Sequence, residues 1–213
     1  PGRQETITVP ELFSLAGRRA LVTGSSQGIG FALARGLAQA GAELVLNGRD
    51  AGKLAAAAAT LREEGATLHS LPFDVTDHEA SRAAIDRFEA GTGAIDILVN
   101  NAGMQHRGPL EDFPAEAFGR RLQTNIASVF HVGQAVARHM IGRGAGKIIN
   151  IASVQTALAR PGIAARELLA LAVVTAMIMV IPKRQDADDA ARGESFWKSV
   201  VSGWRYLWHH PLA

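Results

Sequence analysis

Cysteine is absent from all 213 residues. That excludes a disulfide framework and any thiolate metal site, and it fits a reducing cytoplasm. The other histidine and acidic residues are scattered, so no metal site is expected. With no Cys and a single Tyr, little titrates just above neutrality, so the isoelectric point near 9.4 overstates a formal charge of only +2. No basic stripe is present, which sets nucleic-acid partners aside. The first twenty residues carry no apolar h-region, so no secretory signal is expected. An initiator Met is also lacking, consistent with a trimmed start. Trp and Tyr are missing from residues 1–163, which hold 20 of the 22 glycines, whereas Trp197, Trp204, Tyr206 and Trp208 crowd the remainder. So sharp a change points to two segments of different origin, residues 1–164 and 165–213.

What is present fits one sizeable core with an appendage. Hydrophobic residues make up 47% of the chain and charged residues 20%, an ordinary soluble composition. Short β-branched runs alternate with helical patterns through residue 152. Strands are expected at Arg19–Thr23, Glu43–Leu46, Thr67–Leu71, Ile95–Asn100 and Lys147–Ala152. Helices are expected at Phe31–Gly41, Asp50–Glu64, Asp77–Ala90 and within the long Pro114–Gly142. Asp50 and Asp77 stand where N-caps belong, Gly41 and Gly65 where helices stop. Strands that are apolar throughout, separated by helices, imply a parallel sheet covered on both faces. The fold class is therefore α/β, a doubly wound, Rossmann-like parallel sheet. It is expected to be truncated after the fifth strand, because no clear strand follows Ala152, and to carry a foreign helical tail.

TGSSQGIG, Thr23 to Gly30, lies between the first strand and its helix. Glycines there let the backbone turn tightly and approach a pyrophosphate, whose charge meets the helix N-terminus. The candidate cofactor contacts are Gly24, Ser26, Gln27, Gly28, Ile29 and Gly30. The second strand ends in LNGRD, which places Asn47 and Arg49 at its tip and no carboxylate for a ribose 2′-hydroxyl. A guanidinium suits a 2′-phosphate, which favours NADP over NAD. Asp74 and Val75, ending the third strand, stand where an adenine could lie, although an Asp there equally caps a turn. Asn101, Ala102 and Gly103 of NNAG follow the fourth strand at the carboxyl edge, where such sheets bind ligands.

Together TGSSQGIG, DV, NNAG, Asn125 in QTNIASVF and Ser153 in IINIAS resemble the short-chain dehydrogenase/reductases. LFSLAGRRALVTGSSQGIG, NNAGMQHRGPLEDFPAEAF and NIASVQTALARPGIA resemble more closely the gluconate 5-dehydrogenase-like and 3-oxoacyl-carrier-protein reductase branch. The likeness runs from about Glu11 to Ala164. It implies an NAD(P)-dependent interconversion of a small carbonyl and alcohol, of sugar-acid or oxoacyl type. In the family a Ser orients the substrate oxygen, a Tyr exchanges its proton, a Lys lowers the Tyr pKa and an Asn completes the relay. Ser153 and Asn125 carry over as catalytic candidates. Thirteen residues past Ser153, where the Tyr belongs, stands Arg166, and four beyond it, where the Lys belongs, stands Ala170. A guanidinium cannot cycle a proton near neutral pH, so catalysis is expected to be impaired. Met104, Gln105, His106, Arg107 and Gln155 sit where a polar substrate would approach in the family; with the pocket incomplete, the preferred reading of these residues is a solvated loop. The alternatives are a non-catalytic nucleotide-binding module and a membrane-associated fusion.

The fusion reading comes from the tail. Leu168–Ile181 is fourteen residues without a charge, shorter than the roughly 20 of a membrane span, with Lys183 and Arg184 close behind. Trp197, Val201, Trp204 and Trp208 recur at helical spacing along one face, suited to a core or to a membrane interface. Leu168–Ala213 resembles a fragment of a major facilitator transporter. A helix at Leu168–Ile181, apolar all round, must be buried. It is expected to pack on the sheet or to drive self-association or membrane contact through residues 168–208.

Overall fold

The computed structural model describes residues 13–109 and 111–152, and the backbone of 179–181. All of these fall in the unit Pro1–Ile181. In chain order the elements are β1 (Arg19–Val22), α1 (Gly28–Gln39), β2 (Glu43–Leu46), α2 (Ala51–Glu63), β3 (Leu68–Ser70), α3 (His78–Gly91) and β4 (Ile97–Asn100). There follow α4 (Ala115–Leu122), a π-helical turn (Gln123–Ala127), α5 (Ser128–Gly142), β5 (Gly146–Asn150) and β6 (Met179–Ile181). The sheet order is β3-β2-β1-β4-β5-β6, and the first five strands pair in parallel. The order turns back between β1 and β4, which leaves a crevice at the carboxyl ends of those strands.

Alternation along the strands distributes the core. Leu21, Val45, Leu98 and Ile148 join Ile85 and Phe88 of α3 and Val132, Val136 and Met140 of α5 in one buried cluster. Their neighbours Ala20, Val22, Leu44, Leu46, Ile97 and Val99 join Ala34 of α1 and Leu54, Ala58 and Leu61 of α2 in a second. A strand that is buried on both sides reads as continuously apolar because its period of two feeds two cores. The expected caps are in place: Asp50 accepts from Lys53 N–H at 3.0 Å and Asp77 from Ala80 N–H at 2.9 Å. Gly41 and Gly65 close their helices at φ +95° and +90°.

One expectation is refined and one corrected. The helical stretch Pro114–Gly142 consists of two α-helices joined by the π turn. A strand also follows Ala152: Met179–Ile181 pairs antiparallel with β5, Ile148 opposite Met179 and Gly146 opposite Ile181. The end of the apolar run is therefore extended, not helical. The outer edge of β5 presents unpaired N–H and C=O groups, and a β-branched pair such as Val180–Ile181 suits them. Leu168–Ile178, Trp197, Trp204 and Trp208 lie outside the described residues. No helix among the described residues is long and apolar enough to cross a membrane.

Candidate functional site

The glycine loop is built by exclusion. Gly24 sits at φ +64°, and a Cβ there would come within 2.9 Å of Ala102 Cα. Gly28 adopts φ +59° with open space beside it, so its requirement is conformational alone. At Gly30 a Cβ would lie 2.2 Å from the Gly24 carbonyl oxygen and 2.4 Å from Asn101 Nδ2. Only glycine lets α1 start this close to β1. Gln27, extended ahead of α1, accepts no capping hydrogen bond on its side chain, so the first N–H groups of the helix remain for a ligand. Ser26 is half-buried, while Gln27, Gly28 and Ile29 are exposed.

Hydrogen bonds hold this loop to its neighbours. Thr23 Oγ1 accepts from the N–H groups of Asn101 and Ala102 at 2.9 and 3.0 Å. Asn101 Nδ2 donates back to the Thr23 carbonyl at 3.0 Å. Asn47, only 1% exposed, donates from Nδ2 to the carbonyls of Leu71 and Phe73, each at 3.1 Å. Its Oδ1 accepts from Gly24 N–H at 3.4 Å. Asn47 thus ties the ends of β1, β2 and β3 together. Its side chain is committed to backbone, and it shapes the cleft from beneath.

The resulting cleft encloses about 1440 Å³ at the switch point. Every predicted cofactor residue lines it, as do the catalytic candidate Asn125 and Met104 and Gln105 of the expected substrate side. Arg49 is exposed at the β2 tip. Asp74 accepts from Thr76 N–H at 2.9 Å and from Thr76 Oγ1 at 2.7 Å, so its carboxylate caps a turn while facing the cleft. Burial works to raise the Asp74 carboxyl, but the Thr76 hydrogen bonds and the Arg49 charge outweigh it and hold it below the usual aspartate range. Val75 is buried beside it. His106 and Arg107 are exposed, in keeping with a solvated loop, and His106 rests edge-on against Phe113 at 5.2 Å.

Asn125 stands in the π turn, a local insertion that re-aims a side chain and recurs at functional sites. Its Oδ1 accepts from Met104 N–H at 2.8 Å and its Nδ2 donates to the Met104 carbonyl at 3.0 Å. The amide thereby fixes the loop after NNAG, and Gly103 passes 3.5 Å from its Oδ1 when a Cβ is placed there. Beyond β5, Ile151 N–H donates to the Asn100 carbonyl at 2.9 Å, and Ile151 and Ala152 line the cleft. Ser153, Gln155, Arg166 and Ala170 lie outside the described residues. Among the described residues no group of His, Asp and Glu could hold a metal ion.

Several contributors escaped the sequence reading. Asn100 Nδ2 donates to Asn150 Oδ1 at 2.9 Å, a side-chain clamp between β4 and β5 that only strand register reveals. Arg121, 2% exposed, lines the cleft with its guanidinium 5.7 Å from the Phe113 ring. Lys53 lines it as well; a second basic residue following Arg49 by one helical turn was the available signal.

Comparisons with known proteins agree with this architecture. The short chain dehydrogenase family model matches residues 18–165. Gluconate 5-dehydrogenase of Gluconobacter oxydans is 56% identical over 155 residues, 73% of this chain and 60% of the relative. The 5-keto-D-gluconate 5-reductase of Escherichia coli K12 is 46% identical over 150 residues, 70% of this chain and 59% of the relative. A crystal structure of a gluconate 5-dehydrogenase from Burkholderia cenocepacia in complex with NADP and tartrate superposes with a TM-score of 0.74 at 54% identity, covering 78% of this chain and 65% of that one. The chain thus spans about 60% of the length of the relatives it matches. With that extent of match over the glycine loop, the sheet and the cleft, the chain belongs to the short-chain dehydrogenase family.

Proposed function

We propose that the chain binds NADP(H) in the switch-point cleft, on a scaffold of the gluconate 5-dehydrogenase type, and that its turnover of a sugar-acid carbonyl is low. The observation that carries the cofactor is the β2 tip. Arg49 is exposed there, and the nearest carboxylate in sequence, Asp50, is engaged as the α2 cap. A ribose 2′-hydroxyl is bound in such folds by an acid at that tip, a 2′-phosphate by a guanidinium. The glycine cradle fits a dinucleotide: space is open beside Gly28, and the close approach at Gly30 puts the start of α1 under a pyrophosphate.

When bound, the nicotinamide supplies or accepts the hydride. The residues of this chain do the rest. Gly24, Ser26 and the α1 N-terminus bind the phosphates, Arg49 selects the 2′-phosphate, and Asn101 to Gly103 floor the cleft. Asn125 holds the Met104 loop. The sugar-acid class is supported by the relatives, whose names specify gluconate and 5-ketogluconate. Low turnover is supported by Arg166 and Ala170 at the Tyr and Lys positions of the family, because loss of a general acid–base costs about 10²–10⁴-fold. Steady-state assay with 5-ketogluconate and NADPH is expected to give a rate far below the enzyme median of about 10 s⁻¹, while NADPH fluorescence titration reports binding. A rate near that median removes the impairment, and no binding removes the cofactor reading.

The observation that favours the non-catalytic reading is the same Arg166. A chain that binds NADP(H) without any turnover would be a nucleotide-binding module.

A further inference from the structure

We propose that Lys53 is a second specificity determinant for the cofactor 2′-phosphate, acting beside Arg49 and the Ser26 hydroxyl. This rests on the NADP reading above and extends it from one cation to a cradle.

The charge of the corner favours it. Arg49, Asp50, Lys53 and Asp74 all line this end of the cleft. Arg49 alone, set against Asp50 and Asp74, would leave a net charge of −1. A phosphate monoester carries between one and two negative charges at neutral pH, so a corner of that sign would repel it. Lys53 brings the sum to zero, and Asp50 and Asp74 each direct one oxygen inward, to Lys53 N–H and to Thr76 respectively. The anions are thus partly engaged by the backbone while the cations face solvent.

Placement supports the same conclusion. A Cβ at Gly48 would lie 3.3 Å from Ser26 Oγ, so the β2 tip touches the glycine loop and delivers Arg49 next to that hydroxyl. Lys53 is the third residue of α2, its backbone held by the Asp50 cap at 3.0 Å. Its side chain is exposed and makes no salt bridge among the described residues. A lysine ammonium is a compact charge on a long flexible stem, suited to meet a phosphate oxygen that a planar guanidinium leaves open. Arg49 and Lys53 thus remain to receive the phosphate, while Asp50 and Asp74 are bonded to Lys53 N–H and to Thr76.

The test is calorimetric titration of the full chain with NADP⁺ and NAD⁺, comparing wild type with Lys53→Gln, Lys53→Arg and Arg49→Gln. Lys53→Gln is expected to weaken NADP⁺ binding by about tenfold, the scale of one charge-assisted contact, and to leave NAD⁺ within about twofold. Lys53→Arg retains most of the preference, and Lys53→Gln lowers the salt dependence of NADP⁺ binding. Thermal melting checks the fold of each variant, and the exposed position makes loss of folding unexpected. If Arg49→Gln abolishes the preference while Lys53→Gln leaves it intact, the role of Lys53 is overturned and the NADP reading stands. A wild type without preference for NADP⁺ overturns both.

Discussion

The glycines at residue scale differ in what they need. Gly28 needs only its left-handed conformation, whereas Gly30, helical in its backbone, needs only the absence of a Cβ, because the Gly24 carbonyl and the Asn101 amide occupy that volume. Gly30→Ala is therefore expected to cost about 1–3 kcal/mol by overpacking, read by urea denaturation, and to abolish NADPH fluorescence enhancement. Gly28→Ala is expected to be milder, at about 1–2 kcal/mol of left-handed strain. At Asp74 the folded carboxyl titrates below its usual value, so the unfolded chain takes up the proton first as pH falls. Its stabilising contribution is present above the ordinary aspartate value and is lost as pH falls through the folded one. Thr76→Val removes one of the two hydrogen bonds that lower it. An upward move of the Asp74 titration by NMR is expected in that variant; an unchanged midpoint would refute the role of the hydroxyl.

Among the elements, the π turn is where the sequence pattern and the structure part company. Apolar spacing over Pro114–Gly142 reads as helix throughout, and most of it is. Hydrophobic periodicity does not register one extra residue per turn, since α4 and α5 each keep their own period. What the turn achieves is the double hydrogen bond between Asn125 and the Met104 backbone. Asn125→Ala leaves a backbone donor and acceptor without their partner, at a cost of about 1–3 kcal/mol. Loosening of the loop from Met104 is expected as faster amide exchange at that residue, with α5 protection retained. Strands β1, β2 and β4 and the caps Asp50 and Asp77 were legible because their signals are local. The Asn100–Asn150 clamp was not, because its partners are fifty residues apart in the chain.

For the whole molecule, the question is whether the family's chemistry can be recovered by repairing one site. The family match ends at residue 165, and Arg166 and Ala170 stand just beyond it. Replacing both, Arg166→Tyr with Ala170→Lys, is expected to raise turnover of 5-ketogluconate but to leave it well below about 10 s⁻¹. The reason is that an acid–base pair contributes only when its substrate is held in reach by a complete pocket. Full recovery in a steady-state assay would show that the remaining sequence completes that pocket, and would sink the expectation.

The sequence by itself determined the α/β class, the parallel sheet, the glycine loop and the cation at the β2 tip. Each is carried by neighbours in the chain: an apolar run, a cap three residues from its target, a glycine between strand and helix. Only the tertiary structure decided that Asn47 supports the cleft from beneath, that Asp74 caps a turn while facing Arg49, and that Gly48 packs beside the Ser26 hydroxyl at the β2 tip. It also decided that Met179–Ile181 runs antiparallel along β5, since an unpaired strand edge recruits any segment of suitable propensity. These outcomes depend on which strands become neighbours in the sheet. That is settled by the packing of two cores at once, and no single stretch of the chain contains it.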